Sequence, residues 1–335
     1  HLSLRRQRQM CIRDSRGMVM TEEEILKLFY YKFTETPLLK RMDLVRDYFI
    51  DEWETLRGRN ISDDDKLLLQ QKFDKMYVTK DLYRIYCQLL EECGLDPLSG
   101  AEYERRKIPY EDVFPMLYLK YRLEGGNHSH KNIKHLVIDE MQDYSYLQYT
   151  ILANLFSCKM TILGDRAQTM DEKQQDVLTF LPGILGKKLR KIVMDKSYRN
   201  TVEIAAYAAE LAGITDLKLF ERHGKPVCEK KITEKEVITQ ILKELRVQPD
   251  GYETAAVLTI TDQEAWEMAA ILKKELGDEQ VTYMNKDSSR FKKGITVTTF
   301  YLAKGLEFDQ VFTVWGRQPE DDLIRQAKYI CATRA

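Results

Sequence analysis

The amino-acid sequence predicts an α/β protein in which the strands of parallel sheets alternate with helices. Short apolar runs such as HLVID (135–139) and MTILGD (160–165) are typical of strands that are buried on both faces. Helical patterns separate these runs, and strands that alternate with helices form a parallel sheet with helices on both faces. A chain of 335 residues is long enough for two domains, and we expect their division near residue 188.

Residues 21–125 are predicted to be mostly helical. Apolar residues recur there at three- and four-residue spacing in TEEEILKLFYYKF, LVRDYFIDEWETL and KDLYRIYCQLLEE. Gly94 predicts a helix stop, because Asp96 and Pro97 follow it closely.

Later in the chain the predicted elements alternate. The predicted strands are HLVID (135–139), MTILGD (160–165), KIVMD (191–195), AAVLTI (255–260), ITVTTF (295–300) and QVFTVW (310–315). Between them we expect the helix NTVEIAAYAAELAG, with Asn200 and Glu203 as its cap, and the capped helix TDQEAWEMAAILKKELG.

The composition fits a soluble globular protein, with 44% hydrophobic and 31% charged residues. No run approaches the roughly 18 apolar residues that a membrane span requires. The six cysteines are scattered without a C-x-x-C pair, which indicates reduced thiols in a cytosolic protein. Because the net charge is -1, a nucleic acid would need a local basic or aromatic groove on the surface.

Residues 1–20 differ in composition from the rest, with five arginines and no lysine. They contain no apolar core of the kind that a secretory signal has. Two interpretations remain open, a basic arm that binds nucleic acid and foreign sequence such as a translated adapter, and we favour the second. The chain does not start with Met, and we expect it to be a fragment.

The first chemically informative segment is HLVIDEMQD (135–143), in which an apolar strand ends at Asp139 and Glu140. Ligands of open α/β sheets bind at this end of the strands. An Asp in such a place can hold Mg²⁺, and the following Glu can orient the water that attacks a γ-phosphate. The alternative is an acidic pair on the surface without a ligand.

Three further segments follow predicted elements in the same way. In TILGDRAQ (161–168), Gln168 comes just after a strand and can hydrogen-bond a γ-phosphate. In DKSYRN (195–200), Arg199 precedes a helix, and a guanidinium there can stabilise the charge of a transition state. Arg334, at the end of YICATRA (329–335), is a second such arginine. Taken singly, each segment is also explained by an ordinary turn, a surface arginine or a helix end.

The segment TTFYLAKGLEFD (298–309) is the least expected by chance. A strand breaks there at Lys304-Gly305, and Glu307 follows. Candidate contacts to a nucleic-acid backbone or base are Thr298, Thr299, Tyr301 and Lys304.

Taken in chain order, the segments resemble motifs II to VI of superfamily 1A helicases of the UvrD/Rep type, over residues 133–335. YLAKGLEFD and IDEMQDYS are most similar to the HelD branch, which includes motors that recycle RNA polymerase. The resemblance implies two RecA-like P-loop NTPase domains, the first incomplete and carrying a mostly helical insertion. The implied division is 1–20 non-native or disordered, 21–125 helical part of the first domain, 126–188 its remainder, and 189–335 a truncated second domain.

The resemblance also implies an ATP·Mg²⁺ site between the two domains and movement along single-stranded or duplex DNA. The implied nucleotide-site residues are Asp139 (the Mg²⁺ ligand), Glu140, Gln168, Arg199, Glu307 (at the ribose) and Arg334. The favoured function is a 3′-to-5′ DNA helicase or translocase in the cytoplasm. The alternatives are an ATPase that releases RNA polymerase from DNA, and a non-catalytic interaction module.

The sequence departs from the family in one respect. It contains no G-x-x-x-x-G-K-[ST] loop, and GILGKK (183–188) has the wrong spacing and no Ser or Thr. We expect this phosphate-binding loop upstream of the fragment, and no ATP hydrolysis by the fragment alone.

Overall fold

The computed structural model describes residues 12–13, 19–125, 130, 132–168, 176–186, 189–215, 217–246, 251–288, 292–316 and 322–335. The chain forms two compact units. The first consists of His1–Leu136 and Tyr146–Thr161, and the second of Val137–Ser145 and Ile162–Ala335. Most of residues 1–20 lie outside the described residues, and so does the interpretation of that segment.

The elements of residues 12–162 are mostly helices, as the sequence predicts for residues 21–125. In chain order they are β1 Ile12–Arg13, β2 Val19–Met20, α1 Glu22–Lys27, α2 Leu38–Arg57, α3 Asp63–Asp74, α4 Leu82–Glu92, α5 Tyr110–Glu124, β3 His135–Ile138, α6 Tyr146–Leu155 and β4 Lys159–Ile162. A π-helical turn, Leu28–Lys32, extends α1. The helix stop that Gly94 predicts is confirmed, because α4 ends at Glu92 and Gly94 adopts a φ of 74°.

Helix α2 shows why the first unit folds around helices. Met42, Val45, Phe49 and Trp53 are buried at three- and four-residue spacing, so they form one apolar stripe along the helix. These side chains pack with residues of α1 and α3 in one hydrophobic core. The helix ends at Arg57 and is capped by Gly58, whose φ of 64° favours glycine.

The second unit contains the predicted alternation of strands and helices. After residue 162 the elements are α7 Val177–Leu185, β5 Lys196–Ser197, α8 Val202–Ala212, β6 Lys218–Leu219, α9 Glu234–Glu244, β7 Thr254–Thr259, α10 Asp262–Leu276, β8 Val281–Tyr283, β9 Gly294–Thr299, β10 Gln310–Thr313 and α11 Asp322–Ala332. Four of these strands form a parallel sheet in the order β10-β7-β9-β8. The predicted α/β class with parallel sheets is therefore confirmed.

The two central strands of this sheet are buried on both faces. Along β7, Ala255 and Val257 pack in a core with residues of α9 and α10. Ala256 and Leu258 point to the opposite face and pack with residues of α11. Because successive side chains of a strand alternate between faces, helices cover both sides of the sheet, as predicted.

The helix caps agree with the sequence in one case and differ in another. Thr261 and Glu264 form a capping box at the start of α10, as expected. The predicted cap of α8 is wrong, because Thr201 occupies the N-cap position. Asn200 donates to the backbone oxygen of Ala335 at 2.6 Å instead, and Glu203 accepts from the backbone N–H of residue 224 at 2.8 Å.

The predicted strand at 191–195 is also wrong. No strand is present there, and Ile192, Val193 and Met194 are 73%, 71% and 82% exposed. An apolar run without periodicity does not by itself distinguish a buried strand from another environment. Nor are β3 and β4 buried on both faces, since they form a two-stranded sheet in which Val137 is largely exposed.

Within the described residues, no helix is long and apolar enough to cross a membrane. The predicted domain boundaries at residues 20, 125 and 188 stay predictions, since a compact unit is not the same as a domain.

Candidate functional site

The candidate site contains two loops of the second unit, one after β3 and one after β4. The backbone N–H of Leu163 donates to the oxygen of Ile138 at 2.8 Å, and that of Met141 donates to the oxygen of Leu163 at 2.8 Å. The two strands are neighbours in one sheet. The loops that carry Asp139 and Asp165 therefore leave the sheet side by side.

Gly164 allows these loops to approach each other. A Cβ atom at this position would lie 2.5 Å from the side chains of Gln142 and Met141 and 2.6 Å from the backbone nitrogen of Met141. No other residue type fits without a backbone shift. The glycine of the Gly-Asp turn is therefore explained by close packing.

Glu140 has a strained backbone. Its φ of 52° and ψ of 50° are left-handed, and among the described residues it is the only non-glycine with a positive φ. This conformation costs an L-residue about 1–2 kcal/mol, and such strain often occurs at functional sites. The carboxylate of Asp139 accepts from the backbone N–H of Glu140 at 2.8 Å, which supports the turn.

The buried side chain of Gln142 connects the two loops. Its Nε2 donates to Glu140 Oε2 at 2.5 Å, and its Oε1 accepts from the backbone N–H of Asp165 at 3.1 Å. A carboxylate only accepts and a backbone N–H only donates, so both contacts require the same amide orientation. Gln142 thereby fixes the position of the Glu140 carboxylate.

Gln168 is buried and bonded on both sides of its amide. Its Nε2 donates to Asp165 Oδ2 at 3.0 Å, and its Oε1 accepts from Nη2 of Arg334 at 3.1 Å. The hydroxyl of Tyr329 donates to the same Asp165 Oδ2 at 2.7 Å. The structure thus brings together Gln168 and Arg334, which the sequence predicted as parts of one site.

The two predicted arginines differ in environment. Arg334 is only 2% exposed, whereas Arg199 is half exposed and forms an ion pair with Glu307 at 2.8 Å. Burial, followed by the positive charge of Arg199, lowers the pKa of the Arg334 guanidinium, while the charges of Glu140 and Glu307 act in the opposite direction. The site therefore gathers two guanidinium groups that repel each other, with carboxylates nearby.

Lys304 contacts the acidic loop after β3, which comprises residues 139–143. Its Nζ is 2.6 Å and 2.7 Å from the two carboxylate oxygens of Asp143, and 3.7 Å from Glu140 Oε2. It also donates to the backbone oxygen of Gln168 at 3.4 Å. Its side chain is only 9% exposed, so the ammonium contacts other groups of the protein and is largely shielded from solvent.

Two of the predicted nucleic-acid contacts are corrected by burial. Thr298 and Thr299 are fully buried in β9, and the hydroxyl of Thr298 donates to the backbone oxygen of Met284 at 2.8 Å. Both belong to a central strand whose two faces are covered, so neither side chain can reach a nucleic acid here. Tyr301 is 40% exposed, and its contact with a nucleic acid stays a prediction.

The residues present fit a phosphate-bound divalent cation. Mg²⁺ keeps several waters and takes one or two carboxylates together with phosphate oxygens. Apart from the contact with residue 140, the carboxylate of Asp139 makes no hydrogen bond within the described residues. Those residues contain no group of three or more His, Cys, Asp or Glu placed to hold a metal by themselves. The two guanidinium groups of Arg199 and Arg334 in turn suit a polyphosphate, which would relieve their repulsion.

Four residues that form contacts within the candidate site were not predicted as site residues from the sequence. Asp143 and Gln142 stand inside the acidic segment 139–143, and Asp165 stands inside the Gly-Asp turn, so their positions gave a signal. Tyr329 gave none, because its role depends on how α11 packs against residues 165–168.

Residues 5–170 match the family model of the UvrD/REP helicase N-terminal domain. The match covers Asp139, Glu140 and Gln168 and ends before Arg199. A search of the curated proteins found no match. Helicases of the UvrD type generally use ATP and Mg²⁺ and bind DNA. The match over residues 5–170 therefore supports a UvrD-type superfamily 1 helicase, with ATP-dependent DNA helicase activity in general.

Proposed function

We propose that this chain is part of a motor that couples ATP hydrolysis to 3′-to-5′ movement on single-stranded DNA. The observation that carries the proposal is the buried contact of Arg334 with Gln168, which is linked through Asp165 and Gln142 to Glu140. A buried guanidinium and a left-handed backbone at a non-glycine residue are each costly to maintain, and such features are typical of functional sites.

In this proposal the two carboxylates that follow β3 have different tasks. When bound, ATP·Mg²⁺ supplies the γ-phosphate that is transferred to water. Asp139 holds the cation, and Glu140 accepts a hydrogen bond from the attacking water and orients it. The fixed contact of Gln142 with Glu140 keeps that carboxylate in place.

The remaining residues act on charge and position. Arg334 and Arg199 stabilise the negative charge that spreads over the phosphate oxygens in the transition state. Gln168 responds to the presence of the γ-phosphate, and Glu307 accepts a hydrogen bond from the ribose. Tyr301 is the candidate for stacking a base. We further propose that residues 21–188 and 189–335 belong to two RecA-like domains.

The test is Glu140→Gln in the full-length protein, because the 335 residues contain no phosphate-binding loop of the expected pattern. We expect kcat to fall at least about 100-fold while ATP still binds, since only the charge at the water is lost. Glu275→Gln, an exposed position in α10, is the matched control and should leave kcat unchanged. Normal turnover in Glu140→Gln would contradict the role of Glu140.

The DNA substrate and the direction of movement are tested separately. Single strands labelled at the 5′ or the 3′ end should report arrival at the 5′ end only. Release of RNA polymerase from DNA without strand separation would instead favour the polymerase-releasing ATPase. A wild-type protein without ATP hydrolysis would favour the non-catalytic module.

A further inference from the structure

Helix α11 and the turn that follows it contact residues 165–168 at two points. Near one end of this contact, the hydroxyl of Tyr329 donates to Asp165 Oδ2 at 2.7 Å. Near the other, Arg334 donates to Gln168 Oε1 at 3.1 Å. Gln168 Nε2 donates to the same Asp165 oxygen at 3.0 Å, so the four side chains form one continuous network.

This network permits one orientation of the Gln168 amide. Asp165 only accepts hydrogen bonds, so the NH₂ group must face it, whereas Arg334 only donates, so the carbonyl oxygen must face the guanidinium. A flipped amide would place a donor against a donor and an acceptor against an acceptor. The choice is therefore made by Asp165 and Arg334 together.

Asp165 is itself held in place. Its Oδ1 accepts from the backbone N–H of Ala167 at 3.0 Å, and its Oδ2 accepts from Tyr329. Burial of Tyr329, and then the charge of Asp165, raise the pKa of the phenol, so Tyr329 stays a donor throughout the neutral range. Tyr329, Gln168 and Arg334 are all buried, and water does not readily replace a lost hydrogen bond there.

We propose that Asp165 and Tyr329 are positioning residues that fix the amide of Gln168 with its oxygen toward Arg334. This inference rests on the proposed function, since it gives the two residues a task in ATP hydrolysis. Neither residue needs to touch the nucleotide. They act by holding Gln168 and Arg334 in the geometry that the reaction uses.

A double-mutant cycle in the full-length protein tests this task. Tyr329→Phe keeps the ring and removes only the hydroxyl, and we expect it to lower kcat about five- to tenfold with the KM for ATP within about twofold. The double variant Tyr329→Phe/Gln168→Ala should be no slower than Gln168→Ala, because Tyr329 acts through Gln168. Additive losses would overturn the proposal.

Tyr283→Phe is the matched control. Tyr283 also donates to an aspartate at 2.7 Å, namely Asp262, and neither residue belongs to the proposed site. We expect its kcat to equal that of the wild type, and a loss as large as that of Tyr329→Phe would also overturn the proposal.

A second cycle, in unfolding of the 335-residue chain, does not depend on ATP. For Tyr329→Phe and Asp165→Asn we expect a coupling of about threefold or more in the unfolding equilibrium constant. If the two substitutions are coupled in unfolding but the wild type hydrolyses no ATP, the proposed function is rejected while the contact itself stands. If the wild type hydrolyses ATP but the effects of the two substitutions on unfolding simply add, only the positioning role is rejected.

Discussion

The ammonium of Lys304 lies 2.6 Å from Asp143, although 161 residues separate the two along the chain. This contact joins the segment after β9 to the acidic loop after β3. Because the Lys304 side chain is nearly buried, its charge is compensated by Asp143 and Glu140 rather than by water. The contact thus connects a predicted DNA-binding segment with the carboxylates of the candidate site.

Lys304→Met should destabilise the chain, because it leaves the Asp143 carboxylate without its partner while keeping the apolar stem. We expect a loss of about 1–2 kcal/mol in the free energy of unfolding, measured in urea. Lys293→Met is the control, since Lys293 pairs with Glu253 at a similar 2.7 Å but both side chains are exposed. That variant should lose less than about 0.5 kcal/mol. Equal losses would contradict a special role of Lys304.

The backbone of Glu140 predicts an inverted order of Ala and Gly variants. At a φ of 52°, Glu140→Gly should be more stable than Glu140→Ala by about 0.5–1 kcal/mol, because glycine has no Cβ strain there. At Glu275, inside α10, the order should be the reverse by about 1 kcal/mol. Thermal unfolding of the four variants checks this, and the same order at both positions would contradict the left-handed conformation.

Gly164→Ala should lower the free energy of unfolding by about 1–3 kcal/mol, since its Cβ would overlap atoms of Met141 and Gln142. Gly183→Ala, in α7, is the control because no atom lies within 4 Å of the added Cβ. A helical alanine there should stabilise the chain by up to about 1 kcal/mol. Chemical denaturation of both variants gives the comparison, and a neutral Gly164→Ala would disprove the close approach of the two loops.

Glu203 predicts a pH dependence of stability. A hydrogen bond with His223, and then one from the Gly224 backbone, lower the pKa of Glu203 to about 2. Because an unfolded glutamate titrates near about 4.3, the stabilisation is complete above that pH and is lost as the pH falls toward 2. NMR titration of the Glu203 carboxyl should give a midpoint near 2. In His223→Phe the midpoint should rise, and an unchanged midpoint would remove His223 as the cause.

The 335-residue chain alone should not hydrolyse ATP, with or without single-stranded DNA. Its sequence provides no loop of backbone amides with the Lys and Ser or Thr that hold the β- and γ-phosphates. Phosphate release is measured with wild type and Glu140→Gln side by side. Mg²⁺-dependent hydrolysis that Glu140→Gln abolishes would show that the phosphates are bound by other residues of this chain.

Local patterns predicted the elements whose environment matches the pattern. The strands β7 and β9 are apolar runs that do lie between two layers of helices, and Thr261 caps α10 as its spacing indicates. The run 191–195 is also apolar at its centre, but its side chains are exposed because no layer of the described residues covers them. Composition reports what a segment can bury, and only tertiary packing decides whether it is buried.

The site shows the same limit. Motif order was sufficient to single out Gln168 and Arg334, which are in contact. Thr298 and Thr299 were predicted to contact a nucleic acid, but β9 places both in the core. The role of Tyr329 depends on the packing of one helix against a loop that is distant in the sequence, and no spacing rule predicts that contact.

The exposed run Ile192–Val193–Met194 has a consequence for the behaviour of the chain in solution. Three large apolar side chains in water, on a segment without a strand partner among the described residues, can associate with the same segment of another molecule. Such self-association would set an upper limit on the usable protein concentration. A lysine in place of Val193 should raise that limit, because charge on an exposed edge opposes intermolecular strand pairing.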